Sequence, residues 1–158
     1  MKQLYLVLLV AIALTGNTAC ASVSINEVAW MGGIESANYE WIEIHNDSDS
    51  SLVVDGWTLT DGVNLLIKLA GTIGSNAFAV LERTSEESAP GPAFVIYTGA
   101  MVNTGATLVL SDANGQIIDQ VTGGTDWENI GGDNTSKETA QYSASGWVTD
   151  IGTPGAAN

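Results

Sequence analysis

The chain has 158 residues, 18 of them acidic and four basic, with a formal charge of −14, one cysteine and one histidine. Such a charge repels nucleic-acid phosphates and anionic lipid surfaces, so no nucleic-acid partner is expected. A single cysteine excludes an internal disulfide, and a single histidine excludes any metal site built on two.

The N-terminus reads as a secretory signal peptide over residues 1–21. Lys2 supplies a positive start, Leu4 to Leu14 is an unbroken apolar run, and Ala19-Cys20-Ala21 is a small-residue cleavage site. The run is too short for a membrane span, and no later stretch is long and apolar enough for one, so no transmembrane span is expected. Cleavage after Ala21 starts the mature protein at Ser22 and places it outside the cytoplasm. The alternative is a lipoprotein signal in which Cys20 becomes the lipidated first residue and anchors the chain at the cell surface. Asn17 stands where that signal normally has an aliphatic residue. Cleavage after Ala21 leaves Lys68, Arg83 and Lys137 against all 18 acids, a net charge of −15. The remaining 137 residues suffice for one domain with a sizeable core and are too few for two ordinary ones.

From Ile25 on, the pattern is all-β. Ile25 to Trp30, Glu40 to Asn46 and Leu52 to Asp61 are β-branched and aromatic, alternate with polar residues, and are separated by turn residues. In Glu40-Trp41-Ile42-Glu43-Ile44-His45-Asn46, Ile42 and Ile44 face one way and Trp41, Glu43 and His45 the other. Further strands are expected over Asn64 to Leu69, Ala77 to Leu81 and Ala93 to Tyr97. Gly71 to Asn76 reads as a connection and Ser85 to Pro92 as a surface loop. Ala106 to Ser111 and Gln116 to Val121 form a hairpin about Asp112-Ala113-Asn114-Gly115, with Gly115 left-handed and Leu110 opposite Ile118. Thr122 to Lys137 is a long loop pinned by Trp127. Thr139 to Tyr142 and Gly146 to Thr149 are short closing strands, and residues 152–158 form an exit tail. The core is expected from Val28, Ile42, Ile44, Trp57, Leu59, Phe78, Val80, Leu108, Leu110 and Ile118.

Asn26-Glu27, Glu40 to Asn46, Asp55-Gly56-Trp57-Thr58-Leu59, Gly71-Thr72-Ile73, Leu81-Glu82-Arg83-Thr84, Tyr97-Thr98-Gly99 and Thr153-Pro154-Gly155 together resemble, in order and spacing, the lamin-tail domain in its bacterial, secreted form. The resemblance spans nearly all of the mature chain, 22–158. It implies an immunoglobulin-like β-sandwich of about seven to ten short strands, without catalytic residues of its own. In that family such domains accompany secreted hydrolases and nucleases as targeting or attachment parts. Lamin tails are also linked with DNA and chromatin, but this chain lacks the basic patch such contact needs.

Little in the sequence points to catalysis. His45 sits beside Glu43 and Trp41 with no nucleophile-elbow motif, and reads as a half-exposed strand histidine. Glu27 and Glu43 lie on the first two strands. Opposed across a ladder they could do acid–base work or bind a hard cation. Two exposed glutamates, or one bonded to a nearby backbone N–H, is the plainer account, because alternation does not set the register. Asp47 to Ser51 lacks the Gly and Glu of an EF-hand, since Leu52 and Thr58 occupy those positions. Asp126, Glu128 and Asp133 in the glycine-rich loop have no recognised ligand spacing. No phosphate-binding loop is present, and neither cofactor nor metal is expected. Arg83 is expected to pair locally with Glu82, Glu86 or Glu87. Of the five tryptophans, Trp57 reads as core and Trp41 as the best exposed contact.

The sequence therefore reads as a non-catalytic, secreted binding or surface-association module. Its candidate contact residues are Trp41, Glu43, His45 and Glu27, and its partner is a protein or glycan at the cell exterior. A carbohydrate- or calcium-binding module is the alternative, and a small hydrolase stands third.

Overall fold

The computed structural model describes residues 23–158. The signal segment, the cleavage point after Ala21 and Cys20 lie outside the described residues. Alternation of β-branched and polar residues yields twelve strands. They are β1 (Val23–Ala29), β2 (Trp41–Asn46), β3 (Leu52–Val53), β4 (Thr58–Thr60), β5 (Leu66–Lys68), β6 (Thr72–Ile73), β7 (Ala77–Arg83), β8 (Val95–Tyr97), β9 (Thr107–Ser111), β10 (Ile117–Thr122), β11 (Thr139–Ser143) and β12 (Gly146–Asp150). A single 3-10 turn covers Thr125–Trp127.

The strands form a six-stranded sheet in the order β12-β11-β1-β2-β7-β8 and a four-stranded sheet in the order β10-β9-β4-β5. A small β3–β6 ribbon accompanies them. All pairings are antiparallel except β7 with β8. Val28, Ile42, Ile44 and Leu81 from one sheet and Leu59, Ile67, Leu108 and Leu110 from the other belong to a single buried cluster. The strand pattern's all-β fold is thus the immunoglobulin-like β-sandwich that the resemblance implies, with twelve strands among the described residues in place of about seven to ten.

The long glycine-rich loop is held as expected. Trp127 is fully buried, stacks on Trp30 at 5.9 Å between ring centroids, and donates its indole N–H to the Val102 carbonyl at 2.8 Å. The hairpin turn also forms as read, with Gly115 at φ 79°.

Four local expectations are corrected. Leu110 faces Asp119, not Ile118, because β10 carries a bulge between Ile117 and Asp119. The bulge brings the Asp119 carboxylate to the rim of the sandwich, where it accepts the Ile25 N–H at 2.7 Å. Residues 71–76 are more than a connection, since Thr72 and Ile73 pair with Val53 and Leu52. Phe78 is half-buried on the outer face, paired with His45, because even-numbered residues of β7 share the face of Trp41, Glu43 and His45. Trp57 and Ile118 are likewise only partly buried against the core. Arg83 pairs with Glu40 at 2.7 Å and not with its sequence neighbours. The ladder explains this: the Arg83 N–H donates to the Glu40 carbonyl, while alternation sends Glu82 to the opposite face.

Candidate functional site: a carboxylate pair beneath the C-terminal segment

The outer face of the six-stranded sheet brings the predicted site residues together. A bulge between Ile25 and Glu27 shifts the β1–β2 register so that Glu27 lies directly opposite Glu43. Val80 flanks Glu43 on β7, and Gln141 flanks Glu27 on β11. Directly opposed residues share a face, so both acids point away from the inter-sheet core.

Both are nevertheless 0 % exposed. The cover is the segment after β12, which folds back across the sheet instead of leaving it. Glu27 Oε1 accepts the Thr153 N–H at 3.1 Å and the Gln141 amide at 3.1 Å, and also takes the Thr139 hydroxyl. Glu27 Oε2 accepts the Thr153 hydroxyl at 3.1 Å. Glu43 Oε2 accepts the Gly155 N–H at 2.6 Å, and its Oε1 accepts the Asn26 amide at 2.7 Å. Gln141 donates to the Ile151 carbonyl at 2.6 Å, and Asn158 donates to the Asn26 carbonyl at 3.0 Å and the Tyr142 carbonyl at 2.9 Å. Both ends of the segment are thereby tied to β11, and Asn158 to β1 as well.

Burial raises both carboxyls above the ordinary range. For Glu27 the Thr139, Thr153 and Gln141 donors oppose that rise. Glu43 has fewer donors and a second acid beside it, and burial pushes it up to about 7. The arrangement stabilises a chain crossing. Each of the four carboxylate oxygens accepts at least one donor, and both side chains are fully buried.

The four predicted contact residues therefore separate. Glu27 and Glu43 are enclosed. Trp41 is 5 % exposed, and the Cβ direction of Gly152 points at its ring from 3.2 Å, so it is not the exposed aromatic that the sequence suggested. His45 alone reaches the surface, stacked on Phe78 with ring centroids 4.3 Å apart. It lines an open groove of about 380 Å³ with Phe78, Asp47, Tyr142 and Asn158. Thr139, Gln141 and Asn158 were not singled out from the sequence, and Asn26 entered only through the Asn26-Glu27 motif. Only the Thr153-Pro154-Gly155 motif signalled that the chain end matters.

Among the described residues, no three His, Cys, Asp or Glu side chains gather as a metal site, and no helix is long and apolar enough to cross a membrane. Asp133 instead accepts the N–H groups of Thr135 at 2.6 Å and Ser136 at 2.8 Å.

No curated protein matches the chain at a significant level. The Lamin Tail Domain family model matches residues 17–125, from before β1 to the start of the Trp127 turn. The strands β11 and β12 and the covering segment lie beyond that match, yet they complete the sheet and seal its acids. With most of its length matched and the immunoglobulin-like sandwich in place, the chain belongs to the lamin tail domain family.

Proposed function

We propose that this domain is a non-catalytic binding or surface-association module that works outside the cytoplasm and engages a protein or glycan at the cell exterior. The observation that carries this reading is the division of the outer face. The acids that could have done chemistry are occupied by Thr139, Gln141, Thr153 and Gly155. What stays open is the shallow groove at His45, Phe78 and Tyr142, with Asp47 and Asn158 at its side. Aromatic faces flanked by polar groups suit contact with a partner surface or a sugar ring. The signal-like start supports export, with removal of residues 1–21 as the main reading and lipidation of Cys20 as the other. The charge of the chain speaks against a nucleic-acid partner.

The test is capture of glycans and surface proteins by the purified mature domain, repeated with His45→Ala and Tyr142→Ser. Capture lost in both variants with an unchanged circular dichroism spectrum supports the reading. Capture unaffected by both places the contact elsewhere. Hydrolytic turnover abolished by His45→Ala in a folded protein overturns the non-catalytic assignment.

A further inference from the structure

Only three basic residues follow the signal-like segment, and two of them meet at one cavity. Arg83 from the end of β7 and Lys137 from the loop before β11 both line a cleft of about 530 Å³, on a molecule that is otherwise strongly acidic. Lys68, the third, is exposed on β5. The size lies within the usual range for small-ligand sites.

The walls are fixed from below. Trp127 holds Val102, and Trp30 donates its indole N–H to the Gly131 carbonyl at 2.9 Å, so the two segments that frame the cleft rest on the stacked indoles. Lys137 adopts φ 65°, a left-handed conformation that costs energy for a residue with a side chain. Its ammonium is held by the Met31 carbonyl at 3.1 Å and the Asn134 side chain at 2.6 Å. Arg83 gives one nitrogen to Glu40, and Glu40 is further occupied by the Met101 N–H at 2.8 Å. Glu40 thus offsets part of the Arg83 charge, and Lys137 is the cation of the cleft without a carboxylate partner among the described residues. Asn38, Asn103 and Asn134 line the same cleft; the Asn134 side-chain carbonyl oxygen is taken by the Lys137 ammonium, which leaves its NH2 as a donor.

We propose that this cleft binds an acidic sugar, with Lys137 and Arg83 on the carboxylate and the asparagine amides on the hydroxyls. Two cations alone would suit any anion; asparagines in the same lining favour a ligand with hydroxyls beside its charge. The site is separate from the His45 groove and does not depend on it. The overall field of the protein repels polyanions, so retention of one must come from a local site.

The probes are polygalacturonate and a neutral galactan in affinity electrophoresis of the purified protein, with circular dichroism as the check of fold. Polygalacturonate should retard the wild type and the galactan should not. Lys137→Gln, which leaves the buried Glu40–Arg83 pair intact, should weaken retardation at least about tenfold. Lys68→Gln should leave it unchanged. Absence of retardation by polygalacturonate, equal retardation by galactan, or a folded Lys137→Gln protein that binds as the wild type does would each overturn the proposal.

Discussion

Replacing Glu43 with Gln should stabilise this domain at alkaline pH, against the intuition that a fully hydrogen-bonded buried carboxylate is an asset. The carboxyl titrates near 4.5 in the unfolded chain and at about 7 in the folded one. Between those values the folded protein keeps a proton that the unfolded chain has released. The stabilisation is therefore complete below pH 4.5 and is lost as the pH rises to about 7. At about 1.4 kcal/mol per pKa unit, ionised Glu43 costs the fold on the order of 3 kcal/mol above neutrality. Most of that loss, roughly 2–3 kcal/mol, falls between about pH 5 and pH 8. Ordinary surface carboxylates have already ionised by then. Glutamine stays neutral, accepts the Gly155 N–H through its oxygen, and can meet Asn26 through a flip of that amide. Urea unfolding followed by tryptophan fluorescence, at moderate salt and several pH values, measures this. Wild type should lose stability from pH 5 to pH 8 and level off above. The Gln variant should show a clearly shallower decline, with the residue set by Glu27, Glu40 and Glu82, which burial also raises. A wild type that gains stability over this range, or a variant with the same slope, refutes the reasoning.

Other perturbations follow from the same contacts. Removing residues 151–158 uncovers Glu27, Glu43 and Trp41 and deletes the three donors of Thr153 and Gly155; thermal unfolding should register a loss of about 3 kcal/mol at about 1 kcal/mol per hydrogen bond. Arg83→Gln strands the buried Glu40 carboxylate and should cost about 2–4 kcal/mol in urea unfolding at neutral pH, with part of the loss recovered in acid as Glu40 protonates. Gly105→Ala should prevent stable folding: its Cβ would sit 1.7 Å from the Gly124 carbonyl oxygen on a backbone of φ 89°, and loss of the cooperative melting transition is the readout.

The parts of the fold that depend on local pattern were legible. Ile42 and Ile44 face the core and Trp41, Glu43 and His45 face away, as period-two alternation requires. Trp127 pins its loop, and Gly115 takes the left-handed turn position. What escaped the sequence depends on register or on distant partners. One extra residue near Asn26 sets Glu27 against Glu43, and one near Ile118 sets Asp119 against Leu110; alternation identifies a face but not such slips. Glu40 and Arg83 are far apart in sequence and meet only through the β2–β7 ladder. Residues 152–158 lack strand character, so composition alone reads them as a tail. Two of their ties are backbone N–H groups, which every residue but proline carries and no composition reveals, and the Thr153 hydroxyl and Asn158 amide add side-chain ties to distant strands.

The chain after β12 is an integral cover of a sealed carboxylate pair, and amide hydrogen exchange at Thr153 and Gly155, resolved by NMR, probes that cover at its two backbone donors. Both N–H groups donate to buried carboxylates, so both should exchange orders of magnitude more slowly than an unstructured chain and lose that protection in Glu27→Ala and Glu43→Ala respectively. Exchange at unstructured rates in the wild type would mean that the segment does not cover the acids, and that Glu27, Glu43 and Trp41 form an open site.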